Sequence, residues 1–80
     1  MNNKQTKIGY ATVADKKDVR RVEGWKNINV LEVTHDHSSD LYEVTFEYSN
    51  KEYVLNRFNK IISMLKLGEK TIYTNFNMEN

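Results

Sequence analysis

The sequence predicts a small α+β fold in which an antiparallel sheet of four or five strands carries one helix on one face. In segment 41–48 every second residue is apolar, which is the period of a strand with one buried side. Farther along, Phe58, Ile61, Ile62 and Leu65 recur at the spacing of an amphipathic helix. Since neither apolar surface is stable alone in water, we expect the helix to pack on the sheet. The 80 residues leave room for one domain, 1–80, with a single core.

The N-terminal part of the chain predicts a first strand. Segment 1–6 is polar and has no periodicity, so we expect it to be disordered, as we do segment 77–80. Segment 7–14 is rich in residues that favour strands and alternates with the strand period. Gly9, in its interior, indicates a bulge or the close approach of another part of the chain.

Segment 15–23 has two interpretations. The first is a turn followed by a short strand that forms a hairpin with segment 7–14. The second is a helix with Thr12 or Asp15 as its N-cap and Gly24 at its end. Two valines three positions apart make a narrow apolar side for a helix, so the sequence favours the hairpin.

Segment 28–34 predicts a strand whose alternation slips between Val30 and Leu31. The slip places apolar residues on both sides of the strand. A central strand covered on both faces has this pattern, and so does a strand with a bulge near residue 30. Segment 35–40 is rich in turn-forming polar residues and predicts a loop.

The C-terminal half predicts a turn, a short strand, the helix and a last strand. We expect a tight turn at 49–51 and a returning strand at 52–55. Asn56 is a good N-cap for a helix over about 57–67, and segment 71–76 alternates as a strand. The predicted core consists of the apolar side chains on the inner sides of these elements: Ile8, Tyr10, Trp25, Val30, Val33, Val44, Phe46, Phe58, Ile61, Ile62, Leu65 and Ile72.

One local cluster has the residue types of a metal site. His35 and His37 share a side of an extended segment, and Asp40 could add an oxygen ligand. A zinc site needs three or four ligands, and the chain has no cysteine and no third histidine. We therefore interpret the cluster as a polar loop and predict no metal and no cofactor.

The sequence does not predict an enzyme. Acid–base catalysis needs two titratable groups in different environments, whereas alternation places both Glu43 and Glu47 on the polar, solvent-facing side of their strand. The three glycines are isolated, so no phosphate-binding loop is present, and no nucleophile motif occurs. A core of this size would hardly enclose a substrate pocket of several hundred Å³.

Charge is distributed unevenly along the chain. Residues 1–26 carry a net charge of +4, residues 27–55 a net charge of −5, and residues 56–80 a net charge of +2. Such asymmetry can mark surfaces that bind partners. The interpretation we favour from sequence alone is that the ends pack beside the acidic middle and neutralise it.

The acidic middle predicts a protein-binding surface. Glu32, Glu43 and Glu47 lie on polar strand positions, Glu52 would extend them, and such a surface steers basic partners. Tyrosine, which is favoured at interfaces, occurs five times. The function expected first is a small non-enzymatic accessory or inhibitor-type module that binds a protein, and an exposed edge strand would also allow a homodimer.

The alternative function is nucleic-acid binding through the basic segment 16–26. Basic side chains contact phosphates and exposed aromatic rings stack on bases. If segment 15–23 is a helix, its cations form like-charge pairs four residues apart, which repel unless a partner neutralises them. The candidate surface consists of Lys16, Lys17, Arg20, Arg21, Trp25 and Lys26.

Composition also bears on origin and location. The chain lacks cysteine and contains no apolar run of the ~20 residues that span a bilayer. Its first residues have no apolar region of a secretory signal, so we expect a cytoplasmic protein without membrane contact. Abundant asparagine and lysine and the absence of proline indicate an AT-rich genome, that of a bacterium or its phage.

Overall fold

The computed structural model describes residues 6–59, 61–68 and 70–72, with the backbone alone at 62–64 and 70–72. It confirms the α+β class and the antiparallel sheet. With eight residues each, the two helices in the described part of the chain are too short to cross a membrane. The elements in chain order are β1 (Lys7–Val13), α1 (Lys16–Glu23), β2 (Ile28–Asp36), β3 (Leu41–Tyr48), α2 (Lys51–Phe58), β4 (Ile62–Leu67) and β5 (Lys70–Ile72).

The sheet has the strand order β2-β3-β1-β4-β5, and every neighbouring pair is antiparallel. β1 therefore lies at the centre, between β3 and β4. α1 connects β1 to β2, which run parallel with β3 between them, and α2 connects β3 to β4 across β1 in the same way. This β-α-β-β-α-β connectivity is that of the split β-α-β, or ferredoxin-like, motif.

Both helices cover the same face of the sheet and enclose the core. Phe58 of α2 stacks on Phe46 of β3 at a ring distance of 5.3 Å, and Trp25 meets Phe58 edge-on at 4.9 Å. Four predicted core residues, Val44, Phe46, Phe58 and Leu65, are fully buried, and Trp25, Val30 and Ile61 are partly buried against the core. The other buried hydrophobic residues of the described chain are Ala11, Val13, Val19, Val22, Ile28, Tyr48, Val54 and Leu67.

Three predicted core residues are exposed. Ile8 and Tyr10, 38% and 39% exposed, point away from the helices because they alternate with the buried positions of β1. Val33 is 37% exposed because it lies in β2, at the edge of the sheet. The side chains of Ile62 and Ile72 lie outside the described part of the structure.

The hairpin predicted for segment 15–23 is wrong, and the helical interpretation is confirmed. Asp15 is the N-cap, its Oδ1 accepting a hydrogen bond from the Lys17 N–H at 3.2 Å, and Gly24 ends the helix. A hairpin partner for β1 has no place to pair, because β3 and β4 occupy both sides of that strand. Two valines suffice for α1 because it packs directly on the sheet.

The helix predicted at 57–67 is wrong in position. α2 begins six residues earlier, with Asn50 as its N-cap, and the Asn50 Oδ1 accepts a hydrogen bond from the Tyr53 N–H at 3.0 Å. The turn at 49–51, the strand at 52–55 and the cap at Asn56 are therefore wrong as well. Val54 and Phe58, four residues apart, form the buried side of the actual helix.

Residues 62–67 form the strand β4 instead of a helix. Leu65 and Leu67 are buried and Lys66 between them is exposed, which is the strand period. Pairing with β1 favours the strand over the helix for residues 62–67, because without β4 the central strand would leave the backbone N–H and C=O groups of one edge without hydrogen bonds.

The strands predicted at 7–14, 28–34 and 41–48 are confirmed. The pairing of β2 with β3 shifts register between Val30 and Glu32, so the slip in the sequence pattern marks a bulge and not a central strand. β5 begins the strand predicted at 71–76, of which residues 73–76 lie outside the described part. So do residues 1–5 and 77–80, for which we expected disorder.

Gly9 is a position of close approach, one of the two alternatives predicted for it. A Cβ there would lie 2.6 Å from Phe46 Cζ and 3.0 Å from Leu67 Cδ2. Both neighbours are buried side chains, so neither can move freely. The absence of a side chain at Gly9 therefore lets the Phe46 ring lie against the central strand.

We expect Gly9→Ala to lower the free energy of unfolding by about 1–3 kcal/mol, because the added methyl group overpacks the core. Gly24→Ala is the matched control: its Cβ would meet nothing closer than 3.6 Å, and we expect a change within about 0.5 kcal/mol. Urea unfolding measures both. A Gly9→Ala protein as stable as its parent would contradict the packing of Phe46 on β1.

Candidate binding surfaces

The face of the sheet opposite the helices has no covering layer among the described residues, and we call it the open face. Its members alternate with the core residues of the strands, and the register places them in rows across the sheet. The open face consists of Ile8, Tyr10, Thr12, Asn29, Glu32, Thr34, Glu43, Thr45, Glu47 and Lys66.

The centre of the open face is aromatic and apolar. Tyr10 lies on the central strand, opposite Thr45 on one side and Lys66 on the other. The Lys66 Nζ lies 5.8 Å from the centroid of the Tyr10 ring, within the range of a cation–π interaction. Ile8 extends the exposed apolar surface along the same strand.

Three of the four acidic residues predicted to form a partner surface come together on the open face. Glu32 pairs opposite Thr45, and Glu43 and Glu47 lie on either side of Thr45 along β3. The Asn29 Nδ2 donates a hydrogen bond to the Glu47 Oε1 at 3.2 Å. The fourth residue, Glu52, lies in the first turn of α2, in the helical layer, because its segment is a helix and not a strand.

The predicted basic surface lies on the other layer of the molecule. Arg21 pairs with Asp18 at 3.6 Å, whereas no ion pair within 4.0 Å joins a described lysine or arginine to the acidic strands. The exposed cations of α1 thus make no ion pair with these carboxylates, but Lys66 of the C-terminal segment lies on the open face with them. The internal neutralisation that we favoured from sequence stays a prediction. The exposed cations of the segment are Lys16, Lys17, Arg20, Arg21 and Lys26.

A cluster that the sequence did not predict lies beside this basic surface. The Cζ of Arg57 lies 5.9 Å from the ring centroid of Trp25 and 5.3 Å from that of Tyr53, and we call these three residues the arginine cluster. Tyr53 and Arg57 meet because they are four residues apart in α2. The sequence predicts a strand at 52–55 and a helix only from 57, so it does not place Tyr53 and Arg57 one turn apart on the same helix.

The histidine cluster at the β2–β3 turn is held by one side-chain hydrogen bond and by ring contacts. The His35 Nε2 lies 2.9 Å from the Asp40 Oδ1, and the His35 ring stacks on Tyr42 at 4.5 Å and meets His37 at 4.6 Å. No three metal-ligating side chains converge anywhere in the described part of the chain.

Asp36 in the same turn has a lowered pKa. Its carboxylate accepts hydrogen bonds from the Ser38 and Ser39 hydroxyls and from the Ser38 N–H, at 3.0–3.1 Å. The Ser38 hydroxyl contributes most to lowering the pKa of Asp36 below its ordinary value of 3.8, followed by the Ser39 hydroxyl.

Among the described residues, a depression lies near each end of the β2–β3 pair. The first, of about 240 Å³, is lined by Asn27, Asn29, Glu47 and their neighbours, and the second, of about 140 Å³, by Asp36, Tyr42 and others. Both are smaller than the roughly 300–1,000 Å³ of typical small-molecule pockets. Comparisons of the chain with protein-family models, with curated proteins and with solved structures gave no match.

We expect Ser38→Ala to raise the pKa of Asp36 toward 3.8, because the largest stabilising donor is lost. The folded-state pKa lies below the unfolded one, so the carboxylate stabilises the fold above the unfolded pKa, and this stability is lost as pH falls through the folded pKa. NMR titration of the Asp36 carboxyl measures the effect, with Ser49→Ala as control. An unchanged Asp36 pKa would contradict the hydrogen bonding of this turn.

Proposed function

We propose that this protein is a small non-enzymatic accessory or inhibitor-type module that binds another protein through the open face. The observation that carries the proposal is the exposure of Tyr10 and Ile8 at the centre of a sheet face that no described element covers. Protein interfaces typically combine an aromatic or apolar centre with a polar rim. The open face has this composition, with charged and hydroxyl side chains around the two residues.

The charges of the open face support a basic partner. Glu32, Glu43 and Glu47 lie together on its β2–β3 side, while Lys66 lies beyond Tyr10 on the opposite side. Neighbouring carboxylates repel one another, and basic side chains of a partner would relieve that repulsion. They would also accelerate association at low salt.

The remaining parts of the proposal rest on composition and shape. A cysteine-free chain suits a reducing cytoplasm, and abundant asparagine and lysine suit a bacterial or phage genome. The small, open depressions support a role in binding proteins over a role in catalysis. β2 has no outer neighbour among the described strands and exposes Leu31 by 49%, so a homodimer would form most readily at this edge.

We expect Tyr10→Ala to weaken capture of the partner from a host-cell lysate by about tenfold or more, because central aromatic residues dominate interface energies. Glu43→Gln combined with Glu47→Gln should weaken capture mainly at low salt, because it removes steering charges. Glu52→Gln, the same chemical change in the helical layer, is the control and should capture normally. A partner retained equally by all three variants would refute the open face as the binding surface.

Nucleic-acid binding is the second candidate function, and the separation of charge supports it. The exposed cations of α1 include Lys16 and Arg20, four residues apart, a like-charge pair that an anionic partner would stabilise. Glu32, Glu43 and Glu47 lie on the face of the sheet opposite the helices, so they are not part of the surface that α1 would present to a polyanion.

For this candidate we expect amide resonances of segment 16–26 to shift when mixed-sequence DNA is added at about 0.05 M salt and to return at about 0.2 M. Arg20→Gln should reduce the slope of log affinity against log salt by about 1, because one phosphate contact is lost. Lys66→Gln, which removes a cation from the open face, should leave the slope unchanged. Spectra unaffected by single- and double-stranded DNA at low salt would eliminate this function.

A further inference from the structure

We propose that the arginine cluster is a phosphate-binding site for single-stranded nucleic acid, with Arg57 holding the phosphate and Trp25 and Tyr53 beside it for the bases. The inference rests on the second function proposed above and assigns it a site. Neither Arg57 nor Tyr53 belongs to the basic surface predicted from the sequence.

The cluster places the Arg57 guanidinium over two aromatic rings. Its carbon lies 5.3 Å from the Tyr53 ring centroid and 5.9 Å from that of Trp25, within the range of cation–π contacts. A guanidinium that stacks on an aromatic ring keeps its five N–H donors, which lie in its plane, available.

The N–H donors of Arg57 have no partner in the described part of the chain. No described carboxylate lies within 4.0 Å of this side chain, and no hydrogen bond joins it to another described residue. Arg21, by contrast, has its carboxylate partner in Asp18. An arginine oriented by aromatic rings and free at its donor edge matches the paired oxygens of a phosphate group.

The cluster is fixed to the core, which reduces the cost of ordering it on binding. Trp25 packs edge-on against Phe58 at 4.9 Å, and Phe58 is fully buried in the same turn of α2 as Arg57. Tyr53 lies next to the buried Val54 in that helix. The rings are therefore held in place while they stay partly exposed.

The surroundings favour an unpaired strand over a duplex. Single-strand sites combine a cationic path for the backbone with aromatic side chains for the bases and an arginine for cation–π contact. Lys26 adjoins Trp25 in the chain, and the exposed cations of α1 belong to the same helical layer. The aromatic rings of the cluster add affinity only where bases are free to stack, which a duplex does not offer.

Trp25, the only tryptophan, reports directly on the site. We would titrate the full chain with a mixed-sequence single-stranded oligonucleotide of about 12 nucleotides and follow Trp25 fluorescence at low salt. Arg57→Gln is expected to weaken binding about tenfold or more, because a charge-assisted contact is lost. Arg57→Lys should also weaken binding, because lysine keeps the charge without the planar donors.

Lys66→Gln is the matched control, since Lys66 also lies over a tyrosine ring, but on the open face. It should bind within about twofold of the parent, as expected for a charge far from the site. Equal losses in Lys66→Gln and Arg57→Gln, or full binding by Arg57→Gln, would overturn the site assignment. Thermal unfolding of each variant separates a folding defect from a binding defect.

The outcomes separate failure of the site from failure of the function. If the parent protein binds no oligonucleotide, both nucleic-acid binding and the site assigned to it are refuted. If it binds and Arg20→Gln weakens binding while Arg57→Gln does not, the function stands and the site is wrong. A duplex of equal length that binds as tightly as the single strand would overturn the role assigned to Trp25 and Tyr53.

Discussion

The two layers of this protein depend on the contact between Phe46 and the bare backbone of Gly9. Because Gly9 has no side chain, the Phe46 ring lies against the central strand and presents its other surface to the helices. Phe58 stacks on Phe46, and Trp25 packs on Phe58. One chain of ring contacts thus runs from the middle of the sheet to Arg57 at the surface, so packing in the core also positions the exposed cluster.

Because both helices lie on one side of the sheet, the molecule has two surfaces that differ in charge. On the side of the helices the surface is formed by helix residues rich in lysine and arginine, and on the other side by strand residues with three glutamates around Thr45. No described lysine or arginine of the helices lies within 4.0 Å of a carboxylate of the open face. The protein therefore carries two surfaces of different chemistry, each supported by the same core.

Much of the fold could be predicted from local patterns, because strands with one buried face alternate regularly, as β3 does. The helix was predicted at the wrong place because pairing between distant segments determines the structure there. Segment 62–67 has a helical spacing of apolar residues, but it forms a strand because it pairs with β1. Once the helix was misplaced there, Asn50 was interpreted as a turn residue rather than a cap. The acidic surface was largely predictable because alternation along β3 exposes Glu43 and Glu47, whereas the arginine cluster required the correct helix boundaries.

The position of β1 between β3 and β4 also affects how the chain folds. Gly9 pairs with Phe46 and with Leu67, residues 37 and 58 positions farther along the chain, while the β2–β3 and β4–β5 hairpins are local. Closing such long loops before their contacts form slows folding. During synthesis the central strand emerges first and receives its last partner after nearly all of the described chain has been made. Until then its apolar side and one backbone edge are exposed, so the nascent chain is most prone to misassociation before β4 is released.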